Sequence, residues 1–179
     1  MLTESLFYSE VWNVWLAARW TRSGQLTSLE PVPGRQSKPS ETDHPAPKFQ
    51  AELLNALQSV FDGEKPRINL PQPKSRFQNL VRNLLWAIKP GSTITYGEAA
   101  SRIGNRSAAR AVGQACARNE LAILVPCHRV VGAITMGGYR WGLELKNALL
   151  AKEQRPVIPT SHSHHPAGSP IRASLFFED

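Results

Sequence analysis

The sequence predicts an α/β protein with a small N-terminal sheet domain and a C-terminal helical domain that contains a helix-turn-helix. Three patterns support this. Apolar residues alternate with polar ones near the N-terminus, and in two later stretches apolar residues recur at helical spacing. A turn that contains glycine separates two short helical segments. A chain of 179 residues accommodates one ordinary domain or two small ones. We expect domains at 1–71 and 72–156, a proline-rich connection over 31–48, and a disordered tail over 157–179.

Two periodicities predict the N-terminal elements. Apolar side chains alternate with more polar ones from Trp12 to Trp20, which is the pattern of a half-buried strand. Five prolines between Pro31 and Pro47 lie in a polar stretch, and this composition favours an extended or mobile connection. Apolar residues then recur at helical spacing from Phe49 to Phe61, and Gly63 supplies a stop signal.

Three further helices are predicted in the second half of the chain. Apolar residues from Phe77 to Ile88 follow the i, i+3, i+4, i+7 pattern of a core helix, which ends before Pro90-Gly91. A helix over 95–103, a turn at 104–106 and a helix over 107–118 form a helix-turn-helix, with Ser107 as the N-cap of its second helix.

The second helix of this motif is rich in alanine, including Ala108 and Ala109. Small side chains suit a tightly packed core helix as well as a helix that approaches a partner closely, and composition alone leaves both open. Arg110 and Arg118 on the same helix favour DNA as that partner.

The positive charge of the chain is concentrated in its second half. Residues 72–156 contain 13 Lys or Arg against 4 Glu, so this segment carries +9 although the whole chain carries +7. A solubilising surface would not by itself confine the charge to one segment. The distribution therefore indicates a polyanionic partner for the C-terminal domain.

Cysteine usage and hydropathy indicate a soluble protein of a reducing compartment. The two cysteines, Cys116 and Cys127, do not make a disulfide framework or a multi-cysteine metal site. No stretch has the eighteen or so apolar residues that span a bilayer, and no signal segment is visible. We expect a cytoplasmic protein, associated with the nucleoid in a bacterium or nuclear in a eukaryote. The histidines at 162, 164 and 165 fall in the polar tail, and we expect no metal site there or elsewhere.

The most informative motif is Cys127-His128-Arg129, which follows a run of apolar, strand-like residues and Pro126. A thiol reacts as its thiolate, and nearby cationic or hydrogen-bonding groups favour that form. Adjacent residues of a regular element point in different directions, so Cys127 and His128 can cooperate only across an irregular turn or through a water molecule. By itself the motif also fits a buried cysteine that acts as a small apolar residue.

From Ser75 to Glu153 the sequence resembles the C-terminal domain of the O6-alkylguanine-DNA alkyltransferases, also called methylated-DNA--protein-cysteine methyltransferases. Six blocks occur in the family's order and nearly at its spacing. They are Phe77-Gln78 with Val81, Thr95 to Ala100, Arg110 to Gly113, Asn119, Pro126 to Val130, and Gly138 to Gly142 with Lys146, Leu149-Leu150 and Glu153. The resemblance implies a ribonuclease-H-like N-terminal domain and a winged-helix-like C-terminal domain. Arg140-Trp141 is similar to the C-terminal half of the bacterial adaptive-response protein.

The resemblance also implies the chemistry. Cys127 would take the alkyl group from O6-alkylguanine in duplex DNA, with O4-alkylthymine as a second candidate substrate, in one irreversible turnover without a cofactor. His128 would take the thiol proton through a water molecule, and Glu153 would orient the imidazole. Tyr96 would donate a proton or hydrogen bond to the departing purine. Other roles that remain open are an ordinary solvated charge for Glu153 and a core position for Tyr96.

For binding DNA, the resemblance implies that the helix-turn-helix enters the minor groove and that Arg110 fills the space left by the extruded base. Arg118 would contact phosphate, and Ser107, Ala108 and Ala109 would lie against the duplex. Arg110 could instead contact phosphate.

Asn119 is implied as a hinge between the recognition helix and the active-site strand, and Arg129 as a tie between the domains. The remaining implied site residues line the base pocket or support it: Gly138, Tyr139, Arg140, Trp141 and Lys146. The bulk of Arg140-Trp141 predicts a narrow pocket that reacts weakly with benzylated guanine. Two departures from the family, Glu120 in place of proline and a short segment over 132–136, predict altered loop geometry with activity retained.

Other functions compatible with parts of the pattern are a non-catalytic lesion-binding protein, a helix-turn-helix transcription regulator and a cysteine hydrolase. The lesion-binding relatives have tryptophan at the position of Cys127, and a hydrolase leaves the basic helix-turn-helix unexplained. We therefore expect a monomeric DNA repair enzyme whose partner is double-stranded DNA with alkylated bases, without a membrane partner.

Overall fold

The computed structural model describes residues 2–32 and 49–154, and its N-terminal part is an antiparallel sheet. Strands β1 (Thr3–Ser9), β2 (Val14–Trp20) and β3 (Leu26–Pro31) pair in that order. The alternation predicted a strand that begins at Trp12, but the chain turns at Asn13, where φ is 54°. From Leu16 to Trp20, alternate side chains of β2 are buried, so the predicted half-buried strand is confirmed with a later start.

Helix α1 (Gln50–Phe61) packs its apolar stripe into the same core as the sheet. Leu53, Leu57 and Val60 are buried on this stripe, as the helical spacing predicts. Gly63 has a φ of 84°, a left-handed conformation that favours glycine and accounts for the end of the helix. Of the connection predicted over 31–48, residues 33–48 lie outside the described part of the chain, as does the tail predicted over 157–179.

Helix α2 (Arg76–Ala87) confirms the predicted core helix of the second half. Its N-cap is Ser75, whose Oγ accepts a hydrogen bond from Gln78 N at 3.1 Å. Near its other end, the indole nitrogen of Trp86 donates to Leu124 O at 2.7 Å. This bond fixes the helix against the buried segment that leads to Cys127.

The helix-turn-helix consists of α3 (Tyr96–Arg102) and α4 (Ala109–Ala117). Thr95 caps α3 in a capping box: Thr95 Oγ1 accepts from Glu98 N at 3.1 Å, and Glu98 Oε2 accepts from Thr95 N at 2.6 Å. The prediction of Ser107 as the N-cap of the second helix is wrong. A 3₁₀ turn over Arg106–Ala108 precedes α4, and the Ser107 hydroxyl bonds to Asn105 Oδ1 at 2.8 Å instead.

Two short backbone pairings hold the buried segment 121–130 in place. Strand β4 (Ile94–Thr95) pairs in parallel with β5 (Val130–Val131). On the other side, Leu29 N of β3 donates to Glu120 O at 2.8 Å, and Ala122 N donates to Leu29 O at 2.9 Å. The segment with Cys127 is therefore held between the N-terminal sheet and the helix-turn-helix.

The last described helix, α5 (Leu143–Glu153), ends at the candidate site and packs Leu149 into the core. Together these elements confirm a mixed α/β fold with a small antiparallel sheet and helices. In the described ranges, no helix combines the length and the apolar character needed to cross a membrane.

Candidate active site

Cys127, His128 and Arg129 form a single 3₁₀ turn at the end of the buried segment. This geometry confirms the predicted irregular turn, because three residues per turn send the three side chains in different directions from a compact backbone. All three side chains are buried, and the whole His128 residue has no exposed surface. The turn thus places a thiol, an imidazole and a guanidinium on three consecutive buried residues.

Asn119 connects the end of α4 to the thiol. Its Nδ2 donates to Cys127 Sγ at 3.2 Å and to Val125 O at 2.9 Å, and its Oδ1 accepts from Leu121 N at 3.0 Å. These bonds brace the irregular backbone between α4 and the active-site turn, as expected of a hinge residue.

The Cys127 thiol is protonated at neutral pH in this arrangement. Burial raises its pKa to about 11, although the Asn119 hydrogen bond and the charge of Lys146 lower it in part. Reaction as a thiolate therefore requires a nearby group that accepts the proton.

His128 and Glu153 form the pair that could accept this proton and stabilise the resulting charge. His128 Nε2 lies 2.9 Å from Glu153 Oε1, and both side chains are fully buried. Burial lowers the pKa of His128, against the opposing effect of the Glu153 hydrogen bond and charge. The imidazole is therefore neutral in the resting protein and free to act as a base.

Arg129 holds the Glu153 carboxylate in place and reaches the N-terminal part of the chain. Its Nε and Nη2 donate to Glu153 Oε1 at 3.0 and 2.8 Å, and Nη2 also donates to Val60 O of α1 at 2.9 Å. Burial alone would raise the pKa of Glu153, but the hydrogen bonds of His128 and Arg129 and the charge of Arg129 lower it below its ordinary value. Glu153 is therefore ionised, and the expected tie between the two halves of the chain is present.

Two aromatic rings enclose the imidazole of His128. Trp12 stands edge-on to it at 5.8 Å and 76°, and Tyr139 at 6.4 Å and 85°. The Trp12 indole is fixed by a hydrogen bond to Leu57 O at 3.1 Å. The other imidazole nitrogen, Nδ1, is buried and has no hydrogen-bond partner within the described ranges. If Nε2 donates to Glu153, this nitrogen is the acceptor available for the thiol proton.

Sequence reasoning missed Trp12 as a site residue. The alternation from Trp12 to Trp20 indicated a structural strand, and no motif separated the first tryptophan from the others. Its place beside His128 depends on the turn at Asn13, which the period of two does not reveal.

Tyr96 opens α3 and faces the glycine loop beside the site. Its hydroxyl donates to Gly138 O at 3.4 Å, and its ring lies against Gly113 and Gly137. Burial raises the pKa of the Tyr96 phenol, so the group is protonated and can donate near neutral pH.

Lys146 fastens the loop that carries the predicted pocket residues. Its ammonium is buried and donates to Val130 O at 2.8 Å, Met136 O at 2.6 Å and Gly138 O at 3.2 Å. All three protons of the ammonium are thereby used on backbone carbonyls. The arrangement supports the loop rather than leaving Lys146 free to contact a substrate.

The aromatic residues of this loop pack next to one another. Tyr139 stacks edge-on with Trp141 at 5.2 Å, and burial raises the pKa of Tyr139 well above its ordinary value. Arg140 instead turns outward: it lies over Trp141 at 5.9 Å, and its Nη2 is 3.6 Å from Glu30 Oε1 of β3. The structure therefore brings Tyr139 to the site and places Arg140 on its rim.

The exposed face of α4 combines positively charged side chains with short ones. Arg110 and Arg118 are exposed, as are Ala111, Gln114 and Ala117, whereas Ala109 is half-buried. Ala108 is buried in the core, so its side chain does not favour a direct contact with DNA. Ser107 is exposed on the preceding turn.

In the part of the chain that the structure describes, no three His, Cys, Asp or Glu side chains are grouped as a metal site would require. The histidine-containing tail lies outside that part.

Comparisons with known proteins agree with this geometry. Residues 76–155 match the family model of the DNA-binding domain of 6-O-methylguanine DNA methyltransferase. The chain is 42% identical over 138 residues to the methylated-DNA--protein-cysteine methyltransferase of Mycolicibacterium paratuberculosis, covering 75% of this chain and 83% of that protein. It is 49% identical over 86 residues to the Saccharomyces cerevisiae protein of the same name, covering 48% and 46%.

The structural comparison extends the similarity beyond the matched domain. The crystal structure of Mycobacterium tuberculosis OGT in complex with DNA superposes with a TM-score of 0.64 at 35% identity, covering 84% of this chain and 92% of that one. The match with the yeast relative spans less than half of that protein, whereas the mycobacterial matches span most of theirs. With its sequence and fold both shared with these proteins, the chain belongs to the methylated-DNA--protein-cysteine methyltransferase family.

Proposed function

We propose that the protein repairs DNA by moving the alkyl group of O6-alkylguanine onto Cys127, once per protein molecule. The observation that carries the proposal is a buried thiol in the same turn as a histidine whose partner is an ionised, arginine-bound glutamate. The names of the relatives support the same reaction. O4-alkylthymine is a second candidate substrate of the same chemistry.

In the proposed reaction, the Cys127 thiol proton moves to His128 Nδ1 through a water molecule, and Glu153 stabilises the imidazolium. The thiolate attacks the alkyl carbon, so that a carbon–sulfur bond forms as the carbon–oxygen bond breaks. Tyr96 donates a proton or hydrogen bond to the departing purine. The thioether is stable, and the turnover is therefore single and needs no cofactor.

DNA binding is assigned to the helix-turn-helix. The exposed short side chains of α4 allow its backbone to approach the minor groove, Arg110 fills the place of the extruded base, and Arg118 contacts phosphate. Extrusion is needed because Cys127 is buried and cannot reach a base that remains stacked. We propose that one protein molecule acts on one duplex.

For the domain organisation we propose a ribonuclease-H-like N-terminal unit over 1–71 and an alkyl-accepting unit of winged-helix-like form over 72–156, while the tail predicted over 157–179 lies outside the described residues. The three-stranded sheet supports the first assignment, and the helix-turn-helix with the β4–β5 pair supports the second. Limited proteolysis with mass mapping tests the boundaries, because cleavage concentrates in exposed linkers and tails.

The function is tested by intact-protein mass spectrometry after incubation with duplex DNA that contains one O6-methylguanine. We expect wild type and the matched control Cys116→Ala to gain one methyl group, and Cys127→Ala to gain none. Cys116 is a suitable control because it is also buried, and burial raises its pKa to about 12. Tight lesion binding without any mass change would indicate a lesion-binding protein, and binding to one undamaged operator sequence would indicate a transcription regulator.

A further inference from the structure

A concave feature of the molecule lies beside the Asn119 side chain that binds the thiol. It is an open cleft of about 470 Å³ between β3, the segment Pro71–Lys74, α2 and the end of α4. Among the described residues that line it, four side chains are cationic, Lys74, Arg82, Arg118 and Arg140, and one is a carboxylate, Glu120. We call this feature the cationic cleft.

The charges of the cationic cleft are only partly neutralised within the described residues. Lys74 and Arg118 are exposed and have no acidic partner there, and Arg140 is 3.6 Å from Glu30. Arg82 donates through Nη1 to Pro71 O at 2.7 Å and lies over the Trp86 ring at 5.3 Å, while its buried Nε has no hydrogen-bond partner among the described residues. Four cations gathered around one cleft repel one another, and a bound polyanion would relieve that repulsion.

The cationic cleft begins where the recognition helix ends. Ala117, the last residue of α4, lines it together with Arg118 and Asn119, which follow the helix. Its floor contains the apolar side chains of Val81, Leu85 and others, beneath a rim of charged groups. An apolar floor under cations suits deoxyribose and phosphate together, since the sugars can pack while the phosphates pair.

The first turn of α2 is not arranged as a pocket for a free phosphate. Gln78 N already donates to Ser75 Oγ, so one of the amides that would bind such an ion is engaged by the N-cap. The cations are instead distributed over α2, the residue that follows α4 and two loops along an open cleft, as suits an extended strand.

We propose that the cationic cleft binds the sugar–phosphate backbone of the DNA strand that flanks the lesion, beyond the reach of α4. This inference rests on the proposed function, because it takes the substrate duplex to lie on α4. It adds two residues to the DNA contact surface: Lys74, which precedes α2, and Arg82, which belongs to α2.

The test measures the affinity for a lesion-containing duplex as a function of salt, using duplexes that extend far beyond the lesion on both sides. Each phosphate contact contributes about 0.9 to the slope of log affinity against log salt. We expect Lys74→Gln to reduce this slope by about 1, and Lys74→Glu to weaken binding at low salt by about tenfold. Glu120→Gln should strengthen binding by about twofold, because it removes the carboxylate from the cleft.

Lys89→Gln is the matched control, because Lys89 is also an exposed lysine. Lys89 follows the C-terminal end of α2, whereas Lys74 precedes its N-terminal end, and the helix between them is about 18 Å long. Lys89→Gln should leave the slope unchanged. Shortening the duplex on the side of the lesion that reaches the cationic cleft should abolish the difference in salt slope between Lys74→Gln and wild type. Shortening it on the opposite side should leave that difference in place. The proposal is overturned if Lys74→Gln and Lys74→Glu bind the long duplex with wild-type affinity and slope.

The methyl transfer assay separates this proposal from the proposed function. Both Lys74 variants should still accept one methyl group on Cys127 at saturating DNA, since the hydrogen bonds to the thiol and to the imidazole come from Asn119 and Glu153 and not from Lys74. If wild type accepts no methyl group, the proposed function fails. If wild type is methylated but its salt slope is insensitive to Lys74, only the cleft proposal fails.

Discussion

His128 Nε2 and Glu153 Oε1 are 2.9 Å apart inside the protein, and neither side chain is exposed. The same carboxylate oxygen accepts two bonds from Arg129, and the other oxygen accepts from Gly91 N at 3.0 Å. One buried carboxylate thus orients the imidazole, neutralises the guanidinium and fixes the loop that follows α2. Stability and the proposed proton transfer therefore depend on the same side chain.

Glu153→Gln should destabilise the protein as well as slow alkyl transfer. The substitution leaves the Arg129 guanidinium buried without its counter-charge, a change that costs about 3–5 kcal/mol in comparable buried pairs. It also removes the charge that would stabilise a protonated His128. Chemical denaturation measures the first effect, and single-turnover methyl transfer at a temperature where the variant is folded measures the second.

Glu144→Gln is the matched control for this substitution, because Glu144 belongs to the same helix but is exposed in its first turn. It should change neither the free energy of unfolding nor the transfer rate measurably. A Glu153→Gln variant with wild-type stability would show that Arg129 does not need the carboxylate.

The pH dependence of transfer distinguishes a relayed proton from direct reaction of the thiolate. The pKa of Cys127 is raised to about 11, so a reaction of the free thiolate would speed up about tenfold per pH unit from neutral pH to about 11. With His128 as base, its lowered pKa keeps the imidazole neutral above about 6.5, so the rate should be nearly flat from there towards alkaline pH.

His128→Gln should convert the flat profile into the steep one, because the variant retains Cys127 but loses the base. The profiles are obtained from single-turnover rates at saturating duplex, with DNA binding measured separately at each pH. A wild-type rate that rises in proportion to hydroxide concentration would contradict the relay.

Much of the architecture could be predicted from local patterns, because those patterns report burial directly. The stripe from Phe77 to Ile88 depends only on which side chains face the core. Ser107 had the right residue type for an N-cap, but the extra 3₁₀ turn placed the start of α4 two residues later. Boundaries of this kind depend on tertiary packing.

The site was predictable where a motif carried it and not where distant segments met. The resemblance pointed to Cys127, His128 and Glu153, and the structure brings these three together. It gave no reason to place Trp12 beside His128, because that contact joins residues 116 positions apart in the chain and depends on the strand turn at Asn13. The three carbonyl contacts of Lys146 likewise depend on loop geometry that spacing does not specify.

Gly137 is the position of the loop where a single methyl group should do most harm. Its φ is 65°, and a Cβ built there would lie 2.8 Å from Cε2 of the Tyr96 ring and 3.2 Å from its hydroxyl oxygen. Gly137→Ala therefore combines a left-handed backbone strain of about 1–2 kcal/mol with a clash against the proposed proton donor. We expect Tyr96 or the loop to shift and the transfer rate to fall by about tenfold or more, since each 1.36 kcal/mol of barrier is a factor of ten.

Gly138→Ala adds the same methyl group one residue later, at a position without positive φ and with open space around the new Cβ, so it should transfer at nearly the wild-type rate. Single-turnover rates of the two variants decide the matter, and equal rates would show that Tyr96 does not need the space that Gly137 leaves.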